Sequence, residues 1–345
     1  MQGWCALSTA TGTGQNDESA ERESLQVGME STAAEEAPST TPASTQDEDR
    51  GSPGFGRRFP WWVKLGTKLA VGVLPVSYES LRATFTGYRG AMQDPEYADR
   101  VFDRHFAQYE CHGRDSERAG FFELGPGGGL MNGVVARARG FREATLIDVG
   151  SFAIQDVEYY SRCFEKHWPE QLSAFRAAHK ETESVLAALG RNEIHYEVDG
   201  LAALRRVSSA SVSFSFSQAV FEHVRRNEFD ATMRELFRIH RPGSVSSHRV
   251  DFKDHLGGAL NNLRFRERVW ESRWFPNDGF YTNRLRYSDV RAACERAGFE
   301  VVGEELDTWD KLPLSKRSMA REFADYPDSA LLVRGADMVL RRPGP

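Results

Sequence analysis

Phe121-Phe122-Glu123-Leu124-Gly125-Pro126-Gly127-Gly128-Gly129-Leu130 is the stretch that decides the fold. Its short apolar run ends in a glycine-packed turn, which reads as a buried parallel strand whose C-terminal end opens a crevice for a ligand. Gly125, Gly127 and Gly129 allow positive φ and let backbone N–H groups approach that ligand with no Cβ in the way. A dinucleotide fingerprint, G-x-G-x-x-G, would need its third glycine at 130, where this chain has Leu130. That spacing counts against NAD.

The order Glu123, Gly125, Gly127, Gly129 resembles the first motif of class I S-adenosylmethionine-dependent methyltransferases, whose loop lies against the methionine half of the cofactor. The resemblance implies a second strand ending in an acid that takes both ribose hydroxyls. Ala144-Thr145-Leu146-Ile147-Asp148 supplies it, after a helical stretch from about 130 to 140. It further implies an α/β fold: a seven-stranded, mostly parallel Rossmann-like methyltransferase sheet with an N-terminal helical cap.

Downstream of Asp148 the chain alternates helix-like and strand-like segments, as a parallel sheet requires. Helices are expected at about 151–165 and 170–189, then a third strand, Ile194-His195-Tyr196-Glu197-Val198, ending at Asp199-Gly200. In the family an acid here contacts the adenine amino group and a neighbouring N–H the ring, which assigns Asp199 and Gly200; Asp-Gly is also a common turn. The fourth strand, Ser211 to Ser217, alternates strictly and runs into Gln218-Ala219-Val220-Phe221-Glu222-His223-Val224. Val220 to Val224 resembles the family's fourth motif, which faces the sulfonium end of the cofactor and brings Ser217, Gln218 and His223 into the expected site. Metal-dependent catechol-type enzymes place an aspartate where Ser217 stands, so no metal is expected. The Asn/Asp-Pro-Pro-Tyr/Phe motif of amino-methylating nucleic-acid enzymes is missing too.

A helix over 226–239 should stop at Arg241-Pro242-Gly243, before a fifth strand at 245–250. Asp251, Asp254 and His255 then crowd the loop at that strand's C-terminal end, the edge where open parallel sheets bind ligands. One of them, His255 or Asp254 foremost, would take a proton from the attacking group. The same residues have two other readings: a divalent-metal site with no fixed-spacing motif, or pairing with Arg249, Lys253 or Arg264 on a solvated loop. Asn261 to Phe265, Trp270, Trp274-Phe275 and Gly279 to Arg284 form an aromatic, Asn- and Arg-bearing insert. It is either a rim for a sugar, aryl or lipid-linked head group or a loop folded on its own aromatics. Strand six follows Ala297-Gly298-Phe299, and a last strand at about 331–340 should insert antiparallel; 305–328 carries no readable pattern.

The first fifty residues are of another character. Ten Asp or Glu stand against Arg22 and Arg50, a net charge of −8, while the whole chain of 345 residues carries −6. Too few apolar groups are present to offset the ordering entropy, so 1–57 reads as a disordered acidic tail. No basic region precedes an apolar stretch, and Cys5, Cys111, Cys163 and Cys294 are too far apart for a C-x-x-C pair, which points to a cytoplasmic setting. Residues 58–118 read as the helical cap and 119–345 as the methyltransferase domain. Within the cap, 58–75 is too short to span a bilayer but would suit weak contact with a membrane surface. Asp94-Pro95-Glu96 starts a helix with Val101, Phe102, Phe106 and Tyr109 on one face. Arginines interleaved with acids give no nucleic-acid stripe.

The function implied is methyl transfer from S-adenosylmethionine to oxygen of a small-molecule or glycan-like acceptor. The alternatives are an N-methyltransferase of a small amine and a non-catalytic methyltransferase-fold binding module.

Overall fold

A seven-stranded sheet in the order β3-β2-β1-β4-β5-β7-β6 organises the computed structural model. The model describes residues 60, 62, 93–272 and 281–344. The acidic tail, nearly all of 58–75, and Trp274, Phe275, Gly279 and Phe280 lie outside the described residues. The strands are β1 (Gly120–Leu124), β2 (Glu143–Ile147), β3 (Ile194–Glu197), β4 (Val212–Gln218), β5 (His240–Asp251), β6 (Glu300–Thr308) and β7 (Val333–Arg341). β1 to β5 pair in parallel, whereas β7 runs antiparallel between β5 and β6. β1 lies between β2 and β4, and all five of its residues are buried. The strand order turns back beside it, which places the Gly125–Gly129 turn at a topological switch point.

Helices cover the sheet. α1 (Pro95–His112) starts where Asp94 accepts the Glu96 N–H and Pro95 occupies the first turn. Its buried face carries Phe102, His105, Phe106 and Tyr109. Phe102 meets Phe121, Phe214 and Phe216 at centroid distances of 5.7, 6.2 and 6.1 Å. Each buried ring contributes roughly 2–3 kcal/mol through removal from water, with something more from edge-on aromatic geometry. α2 (Met131–Ala138) joins β1 to β2, with Gly133 tight against Ile194 and Leu146.

Between β2 and β3 lie α3 (Val157–His167), α4 (Leu172–Thr182) and α5 (Val185–Gly190). The single helix expected over 170–189 is therefore broken. Glu183 takes a left-handed φ of 53° and ends α4, and Ser184 then caps α5 by accepting the Ala187 N–H. α6 (Leu201–Arg206) precedes β4, and α7 (Phe229–Ile239) precedes β5. β5 begins at His240, earlier than Arg241-Pro242-Gly243 suggests. Pairing with β4 jumps from Val212↔His240 to Phe214↔Val245, so the Pro-Gly step bulges out of the strand, with Gly243 at φ 81°.

The polar residues of β4 are buried along with its phenylalanines. Ser213, Ser215 and Ser217 are each 1% exposed or less; Ser213 donates to Asp115 at 3.0 Å, and the other two meet a row of polar groups from β5. His240 Nδ1–H donates to the Leu236 carbonyl, which leaves Nε2 to accept from Ser215 at 2.9 Å. Ser215 in turn accepts from Ser246 at 2.6 Å, Ser246 accepts from His248 Nε2–H at 2.6 Å, and His248 Nδ1 accepts from Ser217 at 2.8 Å. Fixing one end fixes every donor in the row. Burial lowers the His240 imidazole to about 4 and His248 well below its ordinary value, so both are neutral as this requires.

The segments after β5 and β6 form a second, smaller core. Leu260 and Leu263 pack with Leu314, Met319, Ala320, Phe323 and Leu331. Leu314, Met319, Ala320 and Phe323 lie in the segment 305–328, which sequence patterning left unassigned because its apolar partners are some fifty residues away in the chain; Leu331, expected in the last strand, lies in the short helix Asp328–Leu332 before β7.

Candidate active site

The crevice at the end of β1 is built from the glycine turn, Glu123 and Asp148. Glu123 is 1% exposed; Asn132 Nδ2–H donates to its Oε1 at 2.9 Å, while its Oε2 is buried with no hydrogen-bond partner. Burial first, and then the charge of Asp148, push the Glu123 carboxyl up to about 8. Asp148 follows β2 and accepts the N–H of Val149 at 2.7 Å and that of Gly127 at 3.0 Å. The two acids are close enough for the charge of Asp148 to act on Glu123.

The turn itself is glycine for two different reasons. A Cβ at Gly125 would stand 2.5 Å from Val220 Cγ2, and φ there is 71°. At Gly127, φ is 65° and nothing lies within 4 Å of a Cβ position, so this backbone faces open space. Gly129 is buried where the turn meets α2. Next to Asp148, Val149 is 79% exposed and touches the Gly200 position, and the Gly200 N–H donates to the Asp148 carbonyl at 2.9 Å. Asp199 is exposed beside it, at φ 83°.

Ser217 and Gln218 are engaged elsewhere. The Ser217 hydroxyl is bonded to His248 inside the sheet. The Gln218 carboxamide accepts from Arg104 at 2.7 Å and from His105 at 3.2 Å, and donates to Tyr97 at 3.3 Å, which ties β4 to α1.

A second group of side chains gathers where β4 and β5 end. Val220 to Val224 does not begin a helix: a single turn, Phe221–His223, leads toward α7, which starts only at Phe229. That turn is strapped down by Asn283, whose Nδ2–H groups reach the carbonyls of Phe221 at 2.7 Å and Val224 at 2.9 Å. His223 Nδ1–H donates to the Tyr281 carbonyl at 2.9 Å. Part of the ring still meets solvent, yet crowding by its neighbours, then the charge of His255, lowers it to about 4. His255 stands edge-on to His223 with centroids 4.9 Å apart. Asp251 accepts the Lys253 N–H at 2.8 Å, and burial raises its carboxyl.

Asp254 has a different role from its neighbours. It is 3% exposed and accepts from the N–H groups of Leu256 and Gly257, at 2.8 and 2.6 Å, and from both the backbone and side chain of Asn261. With its oxygens engaged, it holds the loop that carries His255. Arg249 pairs with Asp337 at 2.8 Å, and Lys253 with Asp251 at 3.8 Å. The described aromatics of the insert are core: Trp270 is fully buried, donates to the Thr282 carbonyl at 2.7 Å, and lies under Arg284 and near Phe265 and Tyr281. Glu222 and Asn132 are the site residues that sequence reading left without a role. The Glu-His pair in Val220 to Val224 was the available signal for the first, and nothing marked the second.

No protein-family model matches the sequence, and no curated protein matches it. Solved structures do resemble it. The cyclase SpnF is 15% identical, covering 72% of this chain and 83% of its own, with a TM-score of 0.41. A geranyl diphosphate C-methyltransferase from Streptomyces coelicolor is 11% identical, covering 74% and 88%, at 0.40. An S-adenosylmethionine-dependent methyltransferase from Mesorhizobium loti is 14% identical, covering 66% and 93%, at 0.36. At such identities and scores they do not say what this chain binds. Strand order, parallel pairing through β5 and the antiparallel β7 between β5 and β6 give the chain the Rossmann-like fold of class I S-adenosylmethionine-dependent methyltransferases.

Proposed function

We propose that the chain transfers a methyl group from S-adenosylmethionine to an oxygen of a small-molecule or glycan-like acceptor. The observation that carries this reading is the unpartnered, buried Oε2 of Glu123 beside the open-faced Gly127 and the Asp148 carboxylate. A buried carboxylate oxygen without a partner is costly and suits a cationic ligand. These residues fit the cofactor: Glu123 and the Gly125, Gly127 and Gly129 backbone toward its methionine half, and Asp148 toward its ribose. Val149, Asp199 and Gly200 would flank its adenine.

When bound, the cofactor supplies a methyl group on a positively charged sulfur. What remains for the protein is to hold an acceptor in line and take its proton. Val220 packs on Gly125, so the turn bearing Glu222 and His223 is built directly against the cofactor loop. Asp251, at the end of β5, is the proton acceptor in this reading, since burial raises its affinity for a proton. Asp254 positions the loop and is not the base. His223 is held in one tautomer by Tyr281, with the other ring nitrogen left to face a ligand.

Calorimetric titration with S-adenosylmethionine tests the reading first, and absence of binding heat at several temperatures would refute it. Isotopically labelled methyl donor, incubated with hydroxylated and amine-bearing small molecules, then separates O-methylation from N-methylation by mass spectrometry.

A further inference from the structure

The turn after β4 carries a buried carboxyl group that methyl transfer leaves unexplained. Glu222 is 4% exposed, and both its carboxylate oxygens are buried with no hydrogen-bond partner. The N–H groups of Glu222 and Asp251 lean toward it without reaching bonding geometry. Arg249, the cation nearby, is engaged with Asp337. Two carboxylate oxygens left unbonded in the interior are unfavourable as an anion unless a cation answers them, and burial accordingly raises the group's affinity for a proton.

Two imidazoles stand where such a cation would be shared. One donor atom each from Glu222, His223 and His255 lie within 4.8 Å of one another. His223 already gives its Nδ1–H to the Tyr281 carbonyl, which leaves Nε2 as the ring nitrogen with a lone pair to offer an ion. Metal-bound imidazoles have this arrangement, the second ring nitrogen donating to a carbonyl or carboxylate. The three residues come from two rigid supports: the Phe221–His223 turn strapped by Asn283, and the loop locked by Asp254.

We propose that Glu222, His223 and His255 bind a divalent transition-metal ion, of which Zn²⁺ is the best match. Two imidazoles and one carboxylate suit zinc-like ions, whereas Mg²⁺ and Ca²⁺ favour all-oxygen sites. With metal–ligand bonds of about 2.0–2.2 Å, donors around such an ion sit roughly 3.4 Å apart. The donors here spread to 4.8 Å, so binding draws them together around the ion. Three protein ligands leave a coordination position open for water or a ligand oxygen. Only the further step, that an acceptor hydroxyl takes this position next to Asp251, rests on the methyl-transfer reading.

The test uses the full chain, stripped with a chelator, dialysed and titrated with Zn²⁺ alone by calorimetry, bound metal being counted by mass spectrometry. One ion per chain is expected, with affinity at least tenfold weaker in His255→Ala and in Glu222→Gln. Co²⁺ in place of Zn²⁺ should give visible absorption bands that His255→Ala abolishes. His195→Ala, altering a surface pair with Glu193, should bind as the parent does. A wild-type chain that takes up no stoichiometric ion, or His255→Ala binding with unchanged affinity, overturns the proposal. Should Glu222→Gln fail to fold by circular dichroism, His255→Ala and His223→Gln decide the question. Because no cofactor is present, the outcome is separate from that of the S-adenosylmethionine titration.

Discussion

Glu123→Gln should change how the protein's stability responds to pH, and the structure gives the sign and the order of magnitude. In the folded chain burial, chiefly, and Asp148 raise the Glu123 carboxyl from 4.5 to about 8, against the opposing pull of the Asn132 bond. Below pH 4.5 the group is neutral folded or unfolded and costs nothing. As pH rises from 4.5 toward 8 the unfolded chain ionises while the folded one holds its proton, so stability falls. Each unit costs about 1.4 kcal/mol, or roughly 5 kcal/mol over the window, and the loss levels off above the folded value. Gln has the same shape, keeps an amide oxygen for Asn132, and does not titrate. Urea denaturation of the cofactor-free protein at pH 5.5, 6.5 and 7.5 measures the effect. Wild type should lose roughly 2–3 kcal/mol more than Glu123→Gln between the outer two values. Parallel stability curves would mean that Glu123 is ionised or solvated in the folded chain, and that its burial is not as described.

Other residues yield shorter tests. If a cationic ligand group meets Glu123 Oε2, S-adenosylmethionine binding near pH 7 should release a proton, seen as a binding enthalpy that varies with buffer ionisation heat and varies less in Glu123→Gln. Asp148→Ala removes the acceptor for the Gly127 and Val149 N–H groups and should weaken cofactor binding at least tenfold, at roughly 1.5–3 kcal/mol per charged bond; unchanged affinity by calorimetry would contradict the assigned ribose contact. Gly125→Ala combines a positive φ with contact against Val220 and should cost about 1–3 kcal/mol, read as a lowered Tm. Ser246→Ala leaves His248 Nε2–H and Ser215 without their partner and should destabilise by a similar amount, with unaltered melting as the contrary result.

What could be read from the sequence was local. The glycine turn is legible because its constraint is on the backbone: positions 125 and 127 need φ above zero, and few other residues accept it. Asp148 is legible because it ends a strand one residue beyond β2. α1 shows in the Asp-Pro-Glu start and the spacing of its rings. Long-range partnership left no such trace. Trp270 and Arg284 look like a polar, aromatic rim until Phe323, from another segment, is placed beneath Arg284 at 4.8 Å. Asp254 looks like a base until its N–H donors, as far off as Asn261, are counted. The break at Glu183 depends on a left-handed residue that no propensity favours, and the Pro242-Gly243 bulge on the register of two strands.

The two faces of β4 also constrain how this chain assembles. Phe214 and Phe216 lie among the rings of α1 and β1, while Ser213, Ser215 and Ser217 turn toward polar partners on the opposite side. Sliding the strand by one residue would thrust hydroxyls among aromatic rings and rings among imidazoles, with both faces failing at once. The central strand is thus self-checking: its register is set from both faces of the sheet at once.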